Sequence, residues 1–252
     1  MAEAVLPTVS ILSILSTLVW CNREGQHSVP MNMPSQTTFR LVTLVLAIVL
    51  GAQCVWLLLA ELSRPGITRL PTGATITAKQ RNDATWAAWI GAIRGDLWAE
   101  SAYTYSDLLW ASSGNNSERI EAVDEVKLRL DRALRYAPHQ SSTWLLIAGM
   151  AARYRWSRPD PTEALKMSYY TGPSELPLMP VRLLVMAQLD ETKDSELQLL
   201  ARRDIRLLIT HQGKPAVVHA FQSATPAGKQ FIEQAVIEID PTFVQSLRAG
   251  IR

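Results

Sequence analysis

A reactive centre in this chain of 252 residues would have to be assembled from four histidines, two cysteines and scattered carboxylates. None of His27, His139, His211 and His219 stands at metal-ligand spacing from another His, a Cys or a carboxylate. His211 falls where a helix closes, a place in which an imidazole interacts well with the helix dipole. No G-x-S-x-G, H-E-x-x-H or phosphate-binding glycine loop occurs, and both cysteines, Cys21 and Cys54, precede the soluble part, so that part has no thiol nucleophile. No catalytic, metal or cofactor residue is assigned, and no cofactor is expected. Glu100 and Asp107 are the only carboxylates that invite an acid/base pair. A glycan-cleaving enzyme needs two carboxyls held at a set separation across a cleft, which the sequence alone does not supply. Two clusters invite binding instead. Arg202, Arg203 and Arg206 flank Asp204 on the wet face of a helix, where they could take phosphate or an acidic glycan, or form an ordinary solvated face. Trp86, Trp89, Trp98, Trp110, Trp144 and Trp156 crowd one region, as core or as an aromatic platform for sugars or peptides. The candidate partner-binding residues are Arg202, Arg203, Arg206, Trp86, Trp89 and Trp98.

The elements that must carry these side chains begin with a membrane segment. Leu41 to Ala60 is twenty residues with no ionisable group except the Cys54 thiol, about 30 Å of helix, which is one hydrocarbon thickness. Arg40 precedes it, Glu61 and Arg64 follow, and Trp56 lies within reach of the interface. The division expected is a tail at 1–38, a transmembrane helix at 39–62, a Pro/Gly stalk at 63–77 and a helical domain at 78–252. For the apolar, Pro-interrupted stretch Ala4 to Trp20 three readings stand: a second, poor span, a surface-lying segment, or sequence upstream of a true start at Met31 or Met33. The last is preferred. Residues 22–38 are polar and aperiodic. Counting Arg23 and Arg40 before the span against Arg64, Arg69, Lys79 and Arg81 after it would keep the domain cytoplasmic, whereas the signal-anchor layout exports it; a periplasmic domain on a single-pass inner-membrane anchor is the expectation.

Composition excludes further classes. Lys+Arg 25 against Asp+Glu 23, with 19% charged residues, is no basic nucleic-acid binder, so no nucleic acid is expected, and two cysteines frame no disulfide scaffold. The mean hydropathy of +0.04 averages an apolar first quarter with an ordinary remainder.

Beyond the stalk the periodicity is helical. Trp86, Trp89, Ile90, Ile93 and Leu97 recur at three and four, predicting one long helix from about Thr85 to Trp110 that stops at Ser112 to Asn116. A second opens at Ser117, with Ile120, Val123, Val126, Leu130, Ala133 and Leu134 as its apolar stripe and Glu125–Arg129 and Asp131–Arg135 as pairs on its wet face. Asp160-Pro161-Thr162-Glu163 is a helix start, repeated in part at Thr225-Pro226 and Asp240-Pro241. Leu197, Leu200, Ala201, Ile205 and Leu208 mark a helix from about Ser195 to His211, closed by Gly213. The short strand candidates at 216–221 and 235–239 sit inside better helical patterns, so the soluble part is all-α.

Leu130, Ala133 and Pro138 followed by Trp144, Ile147, Ala148 and Ala151 resembles the tetratricopeptide repeat, in which a small residue allows close helix approach, large ones fill the groove and Pro ends the helix. Ala164-Leu165 with Tyr169-Tyr170 would supply the partner helix, and Tyr136 and Tyr170 keep the period. The resemblance spans about residues 85–172, departs by an insertion before Ser112 and by the displacing segment at 155–161, and finds no copy beyond Gly172. It implies a helical-hairpin array whose concave faces bind peptides or proteins, with an irregular helical bundle as the other fold. The function expected is a membrane-anchored scaffold or accessory subunit that mediates protein contacts at the bacterial cell envelope, in polysaccharide assembly or export. An envelope enzyme acting on glycans is the alternative.

Overall fold

The computed structural model describes residues 36–65, 76–111, 116–156, 158–189, 194–211 and 213–250. The Ala4 to Trp20 segment and most of the stop signal after residue 111 lie outside them. By compactness the chain divides into two units, Met1–Leu50 and Gly51–Arg252. The first holds the start of α1 (Gln36–Leu62); the last turns of that helix belong to the second unit. α1 is long and apolar enough to cross a membrane, and its apolar side chains are exposed almost throughout.

Every described element of the second unit is helical: α2 (Ala78–Ile90), α3 (Gly95–Ala111), α4 (Asn116–Tyr136), α5 (Ser141–Tyr154), α6 (Pro161–Thr171), α7 (Met179–Gln188), α8 (Ser195–Thr210), α9 (Lys214–Ser223), α10 (Pro226–Ile239) and α11 (Val244–Ala249). Among the described residues there is no strand, and both strand candidates fall within α9 and α10. Local chemistry sets the starts. Thr77 and Gln80 form a reciprocal capping box on α2. Asp160 accepts from the Thr162 and Glu163 amides ahead of Pro161, and Thr225 caps α10 ahead of Pro226. Asp194, unnoticed in the sequence, caps α8 through the Glu196 and Leu197 amides.

The long helix expected over Thr85 to Trp110 is two helices. The chain turns at Gly91–Arg94 because the two glycines lie against neighbours: a Cβ on Gly91 would collide with Leu97 Cδ1, and one on Gly95 would meet the Ala133 carbonyl at 2.7 Å. A periodic apolar pattern runs through such a turn without marking it.

α3 packs along α4, α5 along α6, and α7 along α8 and α9. The hairpin α5–α6 matches the expected partner helix, with Ala164, Leu165 and Tyr169 buried in it. The leading helices of the three pairs open at Gly95, Ser141 and Met179, a spacing that is neither constant nor 34, and pairing continues beyond Gly172 where no sequence copy was found. One core joins Leu97, Leu130, Leu145, Leu165 and Leu197; a second joins Met179, Leu183, Ile205, Ile232 and Val236. α7 contributes to both, through Val185 and Met186 on one side and Met179 and Leu183 on the other.

Three further expectations change. Arg129 is buried, not on a wet face. It pairs with Glu125, but its Nε donates to Ser101 Oγ at 3.0 Å and its guanidinium stacks 3.8 Å from the Tyr105 ring. Ile120, at the head of the α4 stripe, is exposed, because the packing on α3 begins a turn or two later. Trp144 packs against the core as expected but is only half-buried, and it donates its indole N–H to the Pro138 carbonyl at 2.7 Å, which also ties down the α4–α5 turn.

Candidate partner-binding surfaces

The six candidate residues occupy two separate places in the helical unit. Arg202, Arg203 and Arg206 lie on α8. Arg202 is half-buried, donates to Glu238 at 2.5 Å and sits over the Phe231 ring of α10. It lines a groove of about 220 Å³ with Met186, Leu189, Gln198, Phe231 and Gln234, between the ends of α7 and α10 and the face of α8. Gly228, which also lines it, holds α10 close to α7, since a Cβ there would collide with the Ala187 carbonyl, to which the Thr225 amide donates at 3.0 Å. Arg203 and Arg206 are exposed and make no ion pair among the described residues.

Asp204 is not on that face. It is 1% exposed and belongs to the buried stripe Leu197, Ala201, Asp204, Ile205 and Leu208, so helical phase puts it under its arginine neighbours, not among them. Around it lie Tyr169 of α6 and Arg182 of α7, both buried. Arg182, which the sequence reading passed over, donates through Nη2 to the Ser168 carbonyl at 2.6 Å and the Gly172 carbonyl at 2.8 Å, and through Nε to Ser168 Oγ. It supplies donors at the end of α6, to the Gly172 carbonyl beyond the helix and to the Ser168 carbonyl, which also accepts from the Gly172 amide at 3.3 Å. Asp204 Oδ2, Tyr169 Oη and Arg182 Nη1 make no hydrogen bond of good geometry among the described residues, although the Tyr169 phenol faces the Asp204 carboxyl closely enough to favour its ionised form. Burial pushes the Asp204 carboxyl up to about 6, against the attraction of Arg182, and pushes the Tyr169 phenol well above its usual range. The signal that could have found this cluster is the register itself: Asp204 falls on the apolar phase of its helix.

Trp86 and Trp89 lie on α2 and are 67% and 59% exposed. Trp98, on α3, is 4% exposed, donates to the Ala92 carbonyl at 3.0 Å and meets Trp89 edge to face at 6.0 Å, with Arg132 over both rings. Trp98 therefore supports Trp89 and offers no surface of its own. The Trp110 side chain lies outside the described ones. Trp156 stands elsewhere, in a shallow recess with Ile120 and Lys127.

The carboxylates weighed as an acid/base pair have other partners. Glu100 and Asp107 are buried two turns apart on one face of α3. Glu100 Oε2 accepts from Arg64 Nε at 2.6 Å and Asp107 Oδ2 accepts from the Ile76 amide at 3.0 Å. Both ends of the expected stalk are thus tied to α3. His139, His211 and His219 are exposed, and among the described residues no three His, Cys, Asp or Glu side chains gather as a metal site would require.

No family model matches the chain, and neither a curated protein nor a solved structure proved similar to it.

Proposed function

We propose that the chain is a membrane-anchored helical scaffold whose second unit holds a partner protein at the cell envelope through the α8 face. The observation that carries this reading is how the closing turns of the apolar helix join the helical unit. Trp56 donates to the Ile90 carbonyl at 2.6 Å, Ala60 is buried against Gly91, and Arg64 pairs with the buried Glu100. Closing turns that belong to the core of the helical unit join it to the apolar helix without a free linker, a feature a scaffold uses and a tethered soluble enzyme does not need. The groove beside Arg202, floored by Met186, Leu189 and Phe231 and edged by Gln198 and Gln234, suits an extended segment with apolar and carboxylate side chains, and Arg203 and Arg206 extend the positive charge outward. The hairpin pairing of α3 to α8 supports the tetratricopeptide-like reading in arrangement, while its uneven spacing favours an irregular array. The glycan-enzyme alternative draws no support from Glu100 and Asp107, whose described bonds go to the chain's own Arg64 and Ile76.

The test is affinity recovery of partners from solubilised membranes with the full chain. Arg203→Glu/Arg206→Glu should weaken recovery in a salt-dependent way while leaving the helical content unchanged, and adding Arg202→Glu should weaken it further. Undiminished recovery at low salt with all three reversed would remove the α8 face from the proposal.

A further inference from the structure

A second surface remains unexplained by a partner on α8. On α2, Asn82, Trp86 and Trp89 are separated by four and three and share one outward line of the helix, and Ile93 follows in the turn after the helix ends at Ile90. Trp86, Trp89 and Ile93 are 67%, 59% and 63% exposed, while the opposite line of Ala84, Ala87, Ala88 and Gly91 is packed inside. Two indoles and an isoleucine facing outward in a row are not the profile of a solvated helix.

The position of that row is fixed by bonds to the closing turns of α1. Trp56 holds the Ile90 carbonyl, Ala60 lies against Gly91, Glu61 pairs with Arg94 at 3.0 Å, and Trp86 shares a recess with Leu62 and Pro65 and with the charged Arg64, Lys79 and Asp83. α2 therefore descends beside those turns, its end level with Trp56. Trp56 lies six residues before the end of α1, roughly 9 Å along the axis. With the end of α1 taken as the bilayer surface, that distance is comparable to the roughly 5–10 Å to which amphipathic helices sink their apolar face. Indoles are favoured at this level, where the ring contacts acyl chains and the N–H stays near water.

We infer that Trp86, Trp89 and Ile93 form an interfacial foot that sinks into the headgroup layer of the same bilayer that α1 crosses, so that the helical unit rests on the membrane and does not swing above it. The inference depends on the anchor reading of α1. Small residues beneath the foot and Arg132 stacked over Trp89 hold the rings outward, and the polar start of α2, with Lys79 and Asn82, faces water above it. The occupant is lipid because the row stands beside the closing turns of α1, whose Leu57, Leu58 and Leu59 are themselves exposed and apolar; a protein bound there would have to share that surface.

Depth-dependent quenching in the full chain, reconstituted into phosphatidylcholine vesicles, tests this. With Cys21→Ser, the native Cys54 is the lone thiol and reports on the span. In a background lacking both cysteines, Trp89→Cys and Ile93→Cys report on the foot, and Leu199→Cys, exposed on α8, reports on a distant surface. Each thiol carries a nitrobenzoxadiazole label, and far-UV circular dichroism verifies helical content. A nitroxide near the lipid headgroup should quench labels at 89 and 93 about threefold or more over the label at 199, with deeper nitroxides most effective at 54. Quenching at 54 with labels at 89 and 93 open to aqueous iodide would overturn the foot and leave the anchor standing. Labels at 89 and 93 shielded from both iodide and lipid nitroxide would mean a protein occupant and would also overturn it. No lipid quenching at 54 would remove the anchor, and the foot with it.

Discussion

Replacing Asp204 with asparagine isolates the cost of a carboxyl placed inside a helical core. The group is 1% exposed and holds its proton up to about pH 6, where an ordinary aspartate would lose it near 3.8. The interval, at about 1.4 kcal/mol per pH unit, corresponds to roughly 3 kcal/mol as an upper figure. The direction follows from the order of the two values. Because the folded chain holds the proton more tightly than the unfolded chain, the carboxyl's favourable contribution is complete below about pH 4 and is lost as the pH rises toward 6. Above that the core contains a carboxylate that Arg182, Tyr169 and Arg203 compensate only in part. An asparagine in its place would be neutral throughout and nearly the same size. The stability difference in favour of Asp204→Asn should be near zero at pH 4, grow between pH 4 and 6, and level off at about 2–3 kcal/mol by pH 7.5. Urea unfolding of the full chain in detergent micelles, followed by far-UV circular dichroism across that range, measures it, and other carboxylates cancel in the difference. A difference that is flat with pH, or one in which the variant loses stability as the pH rises, would show that Arg182 holds Asp204 as a carboxylate and that burial is not the dominant effect.

Two other substitutions probe the junction and the clamp. Arg64→Ala should cost about 1–3 kcal/mol in the same assay, because it takes a charged hydrogen-bond donor from the buried Glu100 carboxylate, and adding Glu100→Gln should restore much of the loss; a double variant no better than the single one would show that Glu100 is neutral without Arg64. Trp144→Ala should cost about 2–3 kcal/mol, less than a fully buried indole, and Trp144→Phe about 1 kcal/mol for the lost bond to the Pro138 carbonyl; equal losses would mean that the bond, and not the packing, holds the α4–α5 turn.

The all-α class, the apolar span and the helix starts at Asp160, Thr225 and Asp240 were legible because each depends on residues adjacent in sequence. A capping aspartate followed by proline carries its reason within four positions. The break between α2 and α3 was not legible, since Gly91 and Gly95 matter only through Leu97 and Ala133, the latter far away in the chain. The same holds for Arg129, expected on a wet face, and for Arg182, which no sequence pattern singled out: each is drawn inside by hydroxyl, carbonyl or ring partners on another helix. The duties of Glu100 and Asp107 were hidden because their partners, Arg64 and Ile76, lie in a segment whose Pro and Gly content suggests a free spacer.

The misplacement of Asp204 bears on function as well as on packing. On a wet face it would have offset part of the charge of Arg202, Arg203 and Arg206, and the cluster would have been a balanced surface of no particular affinity. With Asp204 inside, and Arg202 occupied by Glu238 and the Phe231 ring, the outer face of α8 presents Arg203 and Arg206 with no ion pair among the described residues. Two cations three residues apart on one helix repel each other, and an exposed pair of this kind gives up that repulsion when an acidic surface approaches. At about 0.1 M salt the screening length is about 10 Å, so the attraction acts only at close range and fades as salt is added. The groove beside Arg202 supplies the apolar contact that such screened charges lack. Charge and groove on α8, in a unit that includes the closing turns of α1, are what the proposed docking face would use, on a helix whose central aspartate serves the core.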